Sequence, residues 1–236
     1  MIKRLLLGVC MLFDIMLYAN AKVYLVSVGI ADYPGTKNDL RISDNDAKTI
    51  AKVFQATKDA SVNVLINEEA TKSVLLSTMH TAFAHAESND AVILYFSGHG
   101  RPGVLVCHDG RLTYQHIFKM LKGCKANKKI IFVDACYSGK MRTTQQQTNC
   151  YNGQNVMLFL SSRTYERSME TRFKNSMFTI FLDRGLRGGA DTNKDRRITA
   201  RELYDFVHKG VIEASKNRQH PVMWGIFDNN MTVIKW

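Results

Sequence analysis

The chain reads as an α/β protein with a mostly parallel sheet and helices on both faces. Two segments predict this. Ala91 to Gly100 reads AVILYFSGHG, and Lys128 to Gly139 reads KKIIFVDACYSG. Each is a β-branched and aromatic run that stops at a small, Gly-bearing turn, as strands buried on both faces do. The third observation is the alternation of such runs with helical periods along the whole chain, the pattern of βαβ units.

The elements follow in order. Lys22 to Ala31 (KVYLVSVGIA) is a strand, followed by a polar loop with a Pro34-Gly35 turn. Ser43 to Lys58 is a helix, with Ala47, Ile50, Ala51 and Phe54 at helical spacing. Val62 to Ile66 is a short strand. Thr71 to Glu87 is a second helix, with Leu75, Met79, Ala82 and Phe83 inward. The strand leading to His99 comes next, then half a hairpin at Val104 to Cys107 and a helix over Thr113 to Leu121. After the strand leading to Cys136, residues 140–154 form a Gln/Thr-rich linker. Asn155 to Leu160 is a buried strand. Helices follow over Ser176 to Leu186 and Thr199 to about Ala214, with one or two edge strands between Val222 and Ile234.

The two turns carry the chemistry. Ligands of open α/β sheets bind beyond the carboxyl ends of the strands, and there the sequence places an imidazole, His99, and a thiol, Cys136. A core cysteine would sit inside its apolar run, whereas Cys136 lies at the end of one. The glycines beside His99 let the backbone bend and expose the ring. A thiolate with a neighbouring imidazole attacks a peptide carbonyl, and the imidazole protonates the leaving amine. Ser97 and Asp134 each precede a catalytic residue by two, so each shares its face. Cys136-x-x-Gly139-x-x-Arg142-Thr143 also fits a phosphate-binding cysteine loop, but no convincing helix follows it, and that reading leaves His99 unexplained.

Ser-Gly-His-Gly followed by Asp-Ala-Cys-Tyr-Ser-Gly resembles the catalytic motifs of caspase-like cysteine peptidases, in particular the metacaspase and bacterial caspase-like branch. Animal caspases carry Gln-Ala-Cys where this chain has Asp134-Ala135-Cys136. The resemblance implies a caspase-like peptidase domain over residues 22–236, an oxyanion hole from the backbone N–H groups of Gly100 and Cys136, and a substrate pocket lined by Asp46, Ser97 and Asp134. Two carboxylates suit Arg or Lys before the cut. Arg41, by analogy with the arginine of animal caspases, supports the alternative of an Asp-specific peptidase. A catalytically silent caspase-fold binding module is the reading from another class, and keeping both His99 and Cys136 speaks against it. Relatives are often cut in the matching linker, which makes Lys140 and Arg142 self-cleavage candidates.

Residues 1–21 read as a signal peptide: Lys3 and Arg4, an apolar stretch interrupted by Asp14, then Ala19-Asn20-Ala21. The expectation is export, periplasmic or secreted, with no integral membrane segment after cleavage. The net charge of +11 is spread along the chain without an Arg/Lys block, so a peptide or protein substrate is expected and nucleic acid is not. Of the five cysteines, Cys107, Cys124, Cys136 and Cys150 follow the leader, and a free nucleophile leaves room for one disulfide. No cofactor is expected. Asp191, Asn193, Asp195 and Glu202 resemble a calcium loop, but Arg196 stands where the loop needs glycine, and Thr199-x-x-Glu202 reads equally as a helix capping box.

Overall fold

A computed structural model describes residues 21–143 and 155–236. Residues 1–20, which carry most of the expected leader, and 144–154, most of the linker, lie outside the described residues. Six strands form the central sheet: β1 (Val23–Gly29), β2 (Ala60–Ile66), β3 (Ala91–Ser97), β7 (Lys128–Asp134), β8 (Asn155–Leu160) and β10 (Val222–Ile226). Their order is β10-β8-β7-β3-β1-β2. All neighbours run parallel except β10, which pairs antiparallel with β8 at one edge. This is the expected mixed α/β sheet.

Alternation along the strands divides the core. Val92, Leu94, Phe96, Ile131 and Val133 pack on one face with α2 (Lys72–Ala84) and α3 (Tyr114–Lys122). Ile93, Tyr95, Ile130 and Phe132 pack on the other with α1 (Ser43–Gln55), α4 (Met177–Arg184) and α5 (Ala200–Ala214). Burying such side chains contributes about 1.5–3 kcal/mol each, which is why the central strands are apolar on both faces. Gly29, at the end of β1, admits α1 closely: a Cβ there would overlap the Ser43 carbonyl oxygen and lie 2.7 Å from Ala47 Cβ.

Several boundaries differ from expectation. The first helix stops at Gln55, and Asp59 turns the chain with φ 64° into β2. The second stops at Ala84, where the Asp90 carboxylate takes the Glu87 N–H at 2.9 Å and holds the chain out of the helix. The helix after Ser176 widens beyond Arg184 into a turn over Gly185–Gly189, with Gly188 at φ 107°. A short strand, β9 (Arg197–Thr199), precedes α5 and pairs antiparallel with β11 (Thr232–Lys235), apart from the main sheet. Three short strands, β4 (Gly100–Arg101), β5 (Val104–Cys107) and β6 (Gly110–Thr113), form a wing directly after His99. The linker starts later than expected, because Ser138–Thr143 is a 3-10 turn with the Met141 side chain buried in the core.

Among the described residues no helix is long and apolar enough to cross a membrane. Cys107, Cys124 and Cys136 are free thiols, the first two buried. Cys10 and Cys150 lie outside the described residues.

Candidate active site

Parallel pairing sets Ser97 of β3 opposite Asp134 of β7. The two chemistry-bearing turns therefore leave neighbouring strands at the same level. Gly98 N–H donates to the Asp134 carbonyl at 3.2 Å, tying one turn to the other. His99, Gly100 and Cys136 line one open cleft of about 1180 Å³.

His99 is held on three sides. Its Nε2 lies 2.7 Å from the Asn38 carbonyl oxygen. A carbonyl only accepts, so Nε2 carries the proton and Nδ1 keeps its lone pair. The Tyr33 ring stacks on the imidazole with centroids 4.8 Å apart. The Tyr33 hydroxyl accepts from the His99 N–H at 2.9 Å and donates to the Val106 carbonyl at 3.1 Å. Burial raises the Tyr33 phenol well above its ordinary range, so it stays a donor.

Cys136 is half-buried, and burial pushes its thiol up. The Ser168 N–H, the Arg167 guanidinium and its own N–H pull the other way, while Asp134 adds to the rise. The net shift is upward, so the resting sulfur holds its proton and needs a base to become a nucleophile. Next to it Tyr137 adopts φ 60°, a left-handed conformation that costs a non-glycine residue free energy. Tyr137 N–H donates to the Glu166 carbonyl at 2.8 Å, which holds that turn. Gly139 allows the segment after β8 to approach, since a Cβ there would lie 2.5 Å from the Arg163 carbonyl carbon.

The carboxylates lie deeper. Asp134 accepts from the hydroxyls of Ser168 and Ser176 and, at 3.0 Å, of Thr179. Asp46, near the start of α1, accepts from Ser97 Oγ, Asn175 Nδ2 and the Ser176 N–H, each at 2.9 Å. Burial, then the charge of Asp134, pushes the Asp46 carboxyl up to about 7. Burial also raises Asp134, against its hydroxyl donors. A recess of about 50 Å³ opens beside His99 and Cys136, lined by Ser97, Asp134, Ser168 and Ser176 among others. Asp46 stands behind it, fully buried, and reaches the recess through Ser97 and Ser176.

The structure thus brings His99, Gly100, Cys136, Ser97 and Asp134 together, with Asp46 one layer below. Arg41 is engaged by a residue of the cleft lining: its Nε pairs with Glu170 Oε2 at 3.2 Å, and its N–H donates to Oε1 at 2.8 Å. Sequence reasoning missed Tyr33, Asn38, Ser168, Ser176 and Thr179. They sit in loops or at a helix start and meet the site only through the fold. Ser176 gave one signal, as a cap before α4, where its Oγ accepts the Thr179 N–H at 3.4 Å.

The calcium-like loop lies away from the cleft. Asp191 accepts from the N–H groups of Asp195 and Arg196. Arg197 pairs with Asp195 at 3.0 Å, and Glu202 completes a capping box with Thr199. Arg196 takes φ 64° without being glycine. Among the described residues no group of three or more His, Cys, Asp or Glu side chains is placed to hold a metal ion.

Comparison with known proteins agrees with this architecture. A caspase-domain model matches residues 23–228. A crystallised protein of Geobacter sulfurreducens superimposes with a TM-score of 0.65 at 16% identity, covering 88% of this chain and 95% of its own. Caspase-1 of Spodoptera frugiperda gives 0.66 at 16% identity, covering 89% and 88%. A search of curated proteins returned no match. With the family model spanning the sheet from β1 to beyond β10, this chain belongs to the caspase-domain family.

Proposed function

We propose that this protein is an exported cysteine endopeptidase that cuts peptide bonds after Arg or Lys, with Cys136 as nucleophile and His99 as general acid and base. The observation that carries the reading is the cleft that His99 and Cys136 line together, with His99 Nδ1 left free by the Asn38 carbonyl.

His99 Nδ1 takes the thiol proton as sulfur attacks the scissile carbonyl carbon. The carbonyl electron pair moves to oxygen, and the N–H groups of Gly100 and Cys136 are the donors for that oxyanion. Collapse breaks the C–N bond, and the His99 proton passes to the leaving amine. His99 then takes a proton from water, the resulting hydroxide attacks the thioester, and the acid product leaves as sulfur regains its proton. The carbonyl of Asn38 and the ring of Tyr33 hold the imidazole in one tautomer and one orientation throughout.

Specificity for a basic residue rests on Asp134 at the recess, with Asp46 behind it. The recess of about 50 Å³ is bordered by the hydroxyls that already occupy the Asp134 carboxylate. An Arg side chain in the recess takes the place of the Ser168 hydroxyl on the Asp134 carboxylate. The leader at residues 1–21 supports export.

The test is a panel of fluorogenic peptide amides varying only the residue before the cut, with wild type and Cys136→Ala in parallel. Cleavage after Arg and Lys by wild type alone supports the reading. Cleavage after Asp with Arg ignored contradicts the specificity, and no cleavage of any peptide points to a silent binding module.

A further inference from the structure

The catalytic cleft carries a charge pattern that the chemistry above does not use. Arg101 on β4, Arg111 on β6 and Arg167 beside Ser168 all line it and are exposed. None of the three takes part in an ion pair among the described residues. Among the described residues the single acidic side chain on the cleft lining is Glu170, and Arg41 already pairs with it. A basic protein scatters cations widely, but here three unpaired guanidinium groups face the space a substrate must occupy. Cations gathered in a cleft raise the local potential and select the opposite charge. The planar guanidinium fork fits a carboxylate with two hydrogen bonds.

The wing fixes which part of the substrate meets Arg101 and Arg111. His99 protonates the leaving amine, so the chain beyond the cut departs on the His99 side. β4, β5 and β6 begin there, immediately after His99. The wing is anchored to the catalytic turn by the Val106 N–H to the His99 carbonyl at 3.0 Å and by the Tyr33 hydroxyl to Val106. Its two arginines are therefore presented in a fixed place rather than on a loose loop.

We propose that Arg101 and Arg111 form a subsite for Asp or Glu side chains in the two or three residues following the scissile bond, so that preferred substrates read basic before the cut and acidic after it. This rests on the cysteine peptidase reading for its direction, and on the cleft geometry alone for its charge preference.

The experiment uses internally quenched peptides with Arg before the cut and Asp-Glu, Ala-Ala or Lys-Lys after it. The acidic series is cut with kcat/KM roughly tenfold above the basic series, mainly through KM, and the gap narrows with added salt. In Arg101→Gln/Arg111→Gln the ratio between series moves to about one, and in Arg101→Glu/Arg111→Glu it inverts. Equal rates in wild type, or a ratio unchanged in both double variants, overturns the proposal. Mass analysis of products locates the acidic residues, and a preference for them before the cut also overturns it. Binding of the same peptides to Cys136→Ala, followed by fluorescence anisotropy, is independent of turnover. If wild type cuts none of these peptides the reading of cleavage after Arg fails, while acidic-over-basic binding that is lost in the double variants still upholds the subsite, and equal binding sinks it.

Discussion

Gly100 and Cys136 meet backbone to backbone. A Cβ on Gly100 would overlap the Cys136 carbonyl oxygen and lie 3.0 Å from Ala135 Cβ. The turn that follows His99 is thus pressed against the peptide unit of Cys136. A glycine is needed there for close approach, not for an unusual φ.

Gly100→Ala therefore displaces Cys136 relative to His99. An ångström of misplacement costs about a hundredfold in rate, so kcat/KM falls by about that factor. The melting temperature, read by calorimetry, falls as well, because the overlap is with backbone and with the buried Ala135, so the kinetics are compared well below it. Wild-type kinetics in this variant would show that the contact does not position the site.

The buried acid pair makes substrate binding depend on pH. Asp46 titrates near 7, above the ordinary carboxylate value of 3.8, because burial and the charge of Asp134 oppose its ionisation. The pair carries more negative charge as pH climbs through that value, so KM for Arg substrates falls across it. Asp46→Asn removes the inflection in KM. Stability follows the same linkage. A raised native pKa gives stability that is present below the ordinary value and declines as pH rises from there toward 7. Denaturant unfolding at pH 5 and pH 8 should show this loss in wild type and not in Asp46→Asn.

The start of β1 bears on processing. Buried Asp90 accepts the Lys22 N–H at 2.8 Å and the Glu87 N–H at 2.9 Å. Cleavage after Ala21 turns that Lys22 nitrogen into an ammonium facing the carboxylate. Terminal sequencing of exported protein should begin at Lys22. Asp90→Asn should destabilise the processed form by about 2 kcal/mol, the value of a hydrogen bond to a charged group, and the unprocessed form by less. Another amino terminus would remove this pairing from the account.

Self-cleavage is sharpened by Met141. Its buried side chain anchors the residue following Lys140, which keeps that peptide bond from extending into a cleft. If the enzyme nicks itself, the cut falls after Arg142 rather than Lys140. Intact mass of denatured wild type and Cys136→Ala decides: one piece ending at Arg142 and one beginning at Thr143, in wild type only, are expected. A fully active, uncut wild type contradicts self-processing.

The sheet was readable because strands buried on both faces are apolar without interruption, as at 91–96 and 130–133, and stop where a Gly turn begins. His99 and Cys136 were readable because a polar residue at the end of such a run has no packing role. The pocket was legible only in outline. Asp134 lines the recess, but Asp46 is held one layer back by Ser97, Asn175 and Ser176. Ser168 and Asn38 were not legible, and Ser176 was legible only as a helix cap. They lie in irregular segments whose approach to β3 and β7 is set by sheet order, and a single sequence carries no period that reports it. Strand β9 was missed because three residues ahead of a helix cap look like the cap's own approach.

The most direct test of the central claim is covalent labelling by a peptidyl electrophile with Arg at the position next to the reactive carbon. Wild type should gain one adduct, mapped by mass spectrometry to Cys136. His99→Ala should label far more slowly, because burial keeps the sulfur protonated without its base, and Cys136→Ala not at all. Labelling at Cys107 or Cys124 instead, or a rate unchanged in His99→Ala, would contradict a nucleophile at Cys136 activated by His99.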